Sequence, residues 1–124
     1  MELLEKEIGL GDLEEFAQEI LELFGENRIF SFYGGMGAGK TTLISKLVEK
    51  LNGQEASSPT FSLVNVYPGE TTVNHFDCYR IENKKDIESI GFEDYFYSGD
   101  YCFIEWPEII ETLIPENGIK VYMS

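Results

Sequence analysis

Gly34-Gly35-Met36-Gly37-Ala38-Gly39-Lys40-Thr41 fits the pattern GxxxxGK[ST] throughout, and residues of these types in this order suit the holding of a row of phosphates. A loop so poor in side chains can turn successive backbone N–H groups inward as a nest for anions, and a helix beginning at its end adds a positive dipole end beneath them. Lys40 then reaches the β- and γ-phosphates, the Thr41 hydroxyl ligates magnesium, and Thr42 is available to the α-phosphate. The expected chemistry is binding of ATP with Mg2+ and hydrolysis of its terminal phosphate, with Gly35, Met36, Gly37, Ala38, Gly39, Lys40, Thr41 and Thr42 as the nucleotide contacts.

Such a site also needs an acid at the end of a buried strand to complete the magnesium shell, and two residues compete for the role. Asp77 closes TVNHFD and Glu105 closes YCFIE, and spacing alone does not choose between them. Ser57-Ser58-Pro59-Thr60 is a short polar segment stiffened by proline, so it reads either as a plain turn or as a switch whose Thr60 hydroxyl approaches the γ-phosphate or the metal. His75 alternates with Asp77 along one strand and reads as a core or half-buried histidine. Trp106 reads, on spacing, as core. Asn83-Lys84-Lys85-Asp86 spells the guanine-reading NKxD, but it follows a polar stretch and has no DxxG between it and the glycine loop. It is therefore taken as a helix start capped by Asp86, and adenine is expected over guanine.

The elements that must position these residues are legible around them. Asp12 and Glu15 form a D-x-x-E capping pattern ahead of Leu13, Phe16, Ala17, Ile20, Leu23 and Phe24, which recur at helical spacing until Gly25. Residues 28–33 (RIFSFY) predict a buried strand running into the glycine loop, and Leu43, Ile44, Leu47, Val48 and Leu51 predict one apolar helix face ending at Asn52-Gly53. Residues 61–67 and 71–76, separated by Pro68-Gly69-Glu70, predict a hairpin. A helix interrupted at Gly91 is expected over 86–96, a strand over 101–106, a short helix opened by Pro107, and a last strand over 119–123. The alternation predicts an α/β chain with the P-loop NTPase fold: a mainly parallel twisted sheet with an antiparallel hairpin, flanked by helices. Residues 1–124 are read as one such domain.

Bulk composition bounds the partners. The net charge is −14, from 23 acidic and nine basic residues, and the arginines are Arg28 and Arg80. Nucleic-acid binding draws on clustered Lys and Arg to displace phosphate counterions, so little direct nucleic-acid binding is expected, and a protein with a basic surface fits better. Cys78 and Cys102 follow no metal or redox spacing and are read as buried thiols of a reducing cytoplasm. MELLEKEIGL resembles no signal peptide, and no membrane-spanning run is found.

GGMGAGKTT, SPTF, HFDCYR, GFEDYF and IEWP occur together in this order. With them the chain resembles, over roughly residues 12–115, the bacterial TsaE-type P-loop ATPases, small subunits of the machinery that makes threonylcarbamoyladenosine in tRNA. The resemblance implies that residues 36–41 bind phosphates, Thr41 and Glu105 hold magnesium, and Asp77 orients or activates the attacking water. It further implies that Thr60 is the switch threonine, that Trp106 stacks or packs near the nucleotide, and that Gly11 and Asp12 lie beside the adenine. The implied partners are a threonylcarbamoyl transferase (TsaD-type) and its paralogous companion (TsaB-type). Two departures stand out: Gly35-Met36 replaces the commoner Asp-Leu, where only backbone atoms are needed, and the sequence ends at Ser124, where relatives usually continue through another strand or two. The rival readings are a small-molecule or nucleotide kinase, for which arginines to clamp the transferred phosphate are few, and a nucleotide-sensing module with little turnover.

Overall fold

The computed structural model describes residues 2–6, 12–35, 39–53, 63–79, 81 and 91–123, the first of these segments as backbone. One sheet of six strands organises them: β1 (Glu2–Lys6), β2 (Ile29–Tyr33), β3 (Val64–Tyr67), β4 (Val73–Asp77), β5 (Tyr101–Glu105) and β6 (Ile119–Met123), in the spatial order β1-β6-β2-β5-β4-β3. All neighbours run parallel except β3 and β4, which pair antiparallel as the hairpin the turn signal predicted. The P-loop fold expected from the sequence is the fold observed, with β1 as the strand that the sequence did not announce. ELLEK has neither alternation nor β-branched residues, and it joins the sheet edge beside β6 through backbone pairing that composition does not encode.

β2 and β5 are buried at every position because both faces of the sheet are covered. On one face, Phe30, Phe32, Tyr101, Phe103 and Val121 pack against α1 (Leu13–Phe24) and α2 (Lys40–Asn52), which present Phe16, Ala17 and Ile20 and, from α2, Leu43, Ile44, Leu47 and Val48. On the other, Ile29, Phe76, Cys102 and Ile104 meet Phe92 and Phe96 of α3 (Phe92–Phe96) and Ile110 of a 3-10 helix (Pro107–Leu113).

Element ends depart from the sequence pattern in two places. Asp12 stands at the N-cap of α1, but its side chain makes no capping hydrogen bond; its backbone is already in the right-handed helical region, where its carboxylate does not face the N–H groups it would cap. Gly25 ends α1 in a right-handed conformation as well, whereas Gly53, at φ 76°, closes α2 in the left-handed geometry that glycine adopts without strain and returns its N–H to the Glu49 carbonyl. The strand predicted over 101–106 stops at Glu105, since Trp106 takes φ 55° and turns the chain into the 3-10 helix. Of the helix predicted over 86–96, Phe92–Phe96 is observed, with Gly91 in the left-handed region at its start, and residues 82–90, with the NKxD segment, lie outside the described residues. No described helix is long and apolar enough to cross a membrane.

Candidate nucleotide site

The side-chain period of two in a strand decides what faces α2. Tyr101, Phe103 and Glu105 share one face of β5, the face whose first two residues lie in the core beneath α1 and α2. In the parallel register Asp77 stands beside Glu105 and His75 beside Phe103, so His75, Asp77 and Glu105 project toward α2 near the carboxyl ends of their strands. This is the edge where ligands gather in open α/β sheets. The glycine loop leaves β2 at that edge and delivers Lys40 and Thr41 into the first turn of α2, with Gly39 at φ 93° immediately before them.

Thr41 and Glu105 meet there. The Thr41 hydroxyl lies 2.5 Å from Oε1 of Glu105, and Nε2 of His75 lies 2.8 Å from Oε2. Glu105 is only 2% exposed, a burial that a carboxylate tolerates only with such partners. Burial pushes its carboxyl up, but the hydrogen bonds from His75 and Thr41, with the nearby Lys40 charge, outweigh that and hold it below the ordinary value of 4.5. It is therefore ionised at neutral pH.

Lys40 is 5% exposed. Its ammonium donates to the Gly34 carbonyl and lies 3.3 Å from the centre of the Trp106 ring. Burial lowers its pKa, against the upward pull of Glu105, Glu108 and Asp77. Trp106 is half-buried and pairs with Tyr79 at 4.9 Å between ring centroids. Its left-handed backbone, unusual for a bulky residue, costs on the order of 1 kcal/mol or more. That turn swings the indole out of the strand direction and over Lys40, a placement that spacing alone does not show. Asp77 is half-buried, and its Oδ1 accepts the backbone N–H of Tyr79 at 3.1 Å, a local turn that fixes the carboxylate beside Glu105.

The described site thus brings together Lys40, Thr41, Asp77, Glu105 and Trp106, with Gly35, Gly39 and Thr42 on the loop and helix start. Asp12, at the N-cap of α1, is exposed. Met36, Gly37, Ala38, Thr60 and Gly11 lie outside the described residues. His75 is the participant that the sequence reading left in the core; the signal was its position two residues before Asp77, which puts both on one strand face.

Among the described residues no group of three or more His, Cys, Asp and Glu side chains could hold a metal ion. A hydroxyl and an ionised carboxylate oxygen at 2.5 Å are nonetheless hard oxygen donors of the kind magnesium takes. Protein sites commonly give that ion one or two carboxylates and leave the rest of its shell to phosphates and water. The donor set fits the ion.

Fold and site together define a P-loop α/β protein. Residues 9–124 match the family model for the threonylcarbamoyl adenosine biosynthesis protein TsaE, and the chain belongs to that family. It is 36% identical over 111 residues to the tRNA threonylcarbamoyladenosine biosynthesis protein TsaE of Haemophilus influenzae, covering 87% of this chain and 70% of that protein. The Treponema pallidum protein of the same name is 32% identical, with 89% and 82% covered. The crystal structure of Bacillus subtilis YdiB superposes with a TM-score of 0.68 at 24% identity, over 88% of this chain and 67% of that one, and supports the fold.

Proposed function

We propose that the chain binds ATP with Mg2+ and hydrolyses it, in the cytoplasm, as the ATPase subunit of an assembly that makes threonylcarbamoyladenosine in tRNA. The observation carrying this reading is the 2.5 Å contact between Thr41, on the first turn behind the glycine loop, and the ionised Glu105 on the neighbouring strand end. Family membership supplies the process.

In this reading the backbone from Gly35 through Thr42 cradles the phosphates, Lys40 moves from the Gly34 carbonyl to the β- and γ-phosphates, and Thr41 and Glu105 hold the cation. Bound magnesium supplies positive charge to the phosphate oxygens. Asp77, held by its turn, orients the attacking water; Thr60 serves as the switch hydroxyl; Trp106 packs near the nucleotide, and Gly11 and Asp12 flank the adenine. Arg28 cannot reach this edge, because its guanidinium donates to the Gly25 carbonyl and lies over Tyr101 at the opposite end of the sheet. Arg80, the other arginine, lies outside the described residues; unless it serves, a partner delivers the extra positive charge that fast hydrolysis requires, a contribution of roughly a thousandfold or more in other P-loop enzymes. The transferase and its companion are the partners proposed, and RNA contact comes through them.

The test is ATP turnover by the chain alone and with that pair added, beside a salt-dependent tRNA titration of the chain alone. Slow turnover that the pair accelerates, with weak RNA binding, is expected. Fast turnover alone, or tight RNA binding that weakens steeply with salt, overturns the partner assignment.

A further inference from the structure

His75 is the chain's single histidine, and its side chain is 1% exposed. Opposite Phe103 in the register, it reaches diagonally to the residue two further along β5, so its Nε2 meets Oε2 of Glu105 at 2.8 Å. Nδ1 is buried too and has no hydrogen-bond partner among the described residues. That asymmetry selects a tautomer. A neutral imidazole carrying its proton on Nδ1 would bury an unsatisfied donor and set the bare Nε2 lone pair against a carboxylate oxygen. With the proton on Nε2, the N–H donates to Oε2 and only an acceptor is left alone.

The anchor matters because the last torsion of a glutamate is otherwise broad. Tied at Oε2 from below, the carboxylate keeps its other oxygen directed at Thr41, 2.5 Å from the hydroxyl. We infer that His75 is a positioning residue: its Nε2–H bond locks the Glu105 carboxylate so that Oε1 and the Thr41 hydroxyl stand preset as paired oxygen donors for the divalent cation that accompanies a nucleotide. This rests on the reading of Thr41 and Glu105 as the cation site. Partners of this kind, standing behind a ligand, change metal affinity by about 10–100-fold when removed.

The experiment uses Mn2+ as probe, with the full chain and ADP, and counts bound ion by electron paramagnetic resonance. His75→Leu keeps an apolar side chain but removes the donor; His75→Gln offers an amide N–H at similar reach. His75→Leu should raise the Mn2+ concentration for half-saturation by about tenfold or more, leave metal-free ADP binding unchanged, and be largely rescued by His75→Gln. Independently of any variant, the long-range proton–nitrogen spectrum of the lone imidazole in the wild-type chain should show its proton on Nε2. A proton on Nδ1, equal Mn2+ affinity in all three proteins, or loss of metal-free ADP binding in both variants without rescue overturns the inference. If the wild-type chain binds ADP but retains no Mn2+, the cation-site reading fails and the inference falls with it; if it retains Mn2+ and the variants match it, only the positioning role falls.

Discussion

At the beginning of β2 and β5, Arg28 and Tyr101 both direct their donors to one backbone atom. The Gly25 carbonyl accepts from the Arg28 guanidinium at 2.8 Å and from the Tyr101 hydroxyl at 2.5 Å, while the guanidinium lies 4.4 Å from the tyrosine ring. Arg28, Glu70, Asp100 and Tyr101 line a polar cleft of about 200 Å3 at that end. At the other end of the same two strands, Lys40 and Glu105 are 5% and 2% exposed. Their partners are a carbonyl, an indole face, a hydroxyl and a buried imidazole. The first end closes the chain on itself at the surface, where charge is cheaply solvated. The second keeps charges out of water, which is costly unless something uses them, and perturbed buried groups of this kind cluster at functional sites.

The largest expected effect follows from removing the buried cation. Lys40→Ala should lower ATP turnover by about 10²–10³-fold, as removal of a preorganised charge-stabilising donor does elsewhere, while the melting curve remains that of a folded protein. Undiminished phosphate release would break the contrast between the two ends. Next come the adjacent acids. Glu105→Ala should raise the Mg2+ concentration needed for half-maximal turnover by about tenfold or more and leave metal-free nucleotide binding intact. Asp77→Ala should depress turnover without moving that requirement, and the opposite pattern in a magnesium titration exchanges their roles.

Acidity sharpens the comparison further. Because the folded-state value of Glu105 lies below 4.5, its ionised form stabilises the fold above the unfolded value, and that contribution disappears as pH falls through the folded value. The stability of the wild type over Glu105→Gln, from urea unfolding, should be constant above about pH 5 and shrink below it. An advantage that grows on acidification would contradict the hydrogen-bonded carboxylate.

Changes at the closed end should be smaller and confined to stability. Tyr101→Phe removes the hydroxyl from Gly25, which should lower unfolding free energy by about 0.5–1.5 kcal/mol and leave nucleotide affinity alone; a matching loss of affinity would mean that the two ends are coupled. The smallest effect belongs to Glu14. Its carboxylate meets Lys50 at 2.7 Å and Lys46 at 3.2 Å, and these two lysines hold its pKa down, but Glu14 and Lys50 are exposed and Lys46 only half-buried, so the trio is screened by salt. Glu14→Gln should leave the urea midpoint unchanged at high ionic strength, and a persistent shift would show that α1 and α2 depend on that link.

Much of this was legible beforehand because it is local. The glycine loop sits between a strand and a helix in sequence as in space, the Pro68-Gly69-Glu70 turn announces its own hairpin, and the apolar spacing of α2 names the residues that it buries. Family membership could likewise be read from motifs in order. What local pattern did not show was long-range pairing. β1 lies beside β6 across most of the chain, and nothing in ELLEK states which edge it joins. Residue types and spacing made Asp77 and Glu105 equal candidates; the resemblance favoured Glu105, and the parallel register of β4 and β5 with α2 overhead places that residue against Thr41. His75 read as core by itself and became a partner of Glu105 only when two strands distant in sequence lay side by side. The sequence by itself determined which groups can bind phosphate and which elements carry them, since these follow from residue type and the periods of helix and strand. Only the tertiary structure decided which acid meets Thr41, what stands behind it and where Trp106 turns, because hydrogen-bond reach is a few ångströms and folding sets those distances.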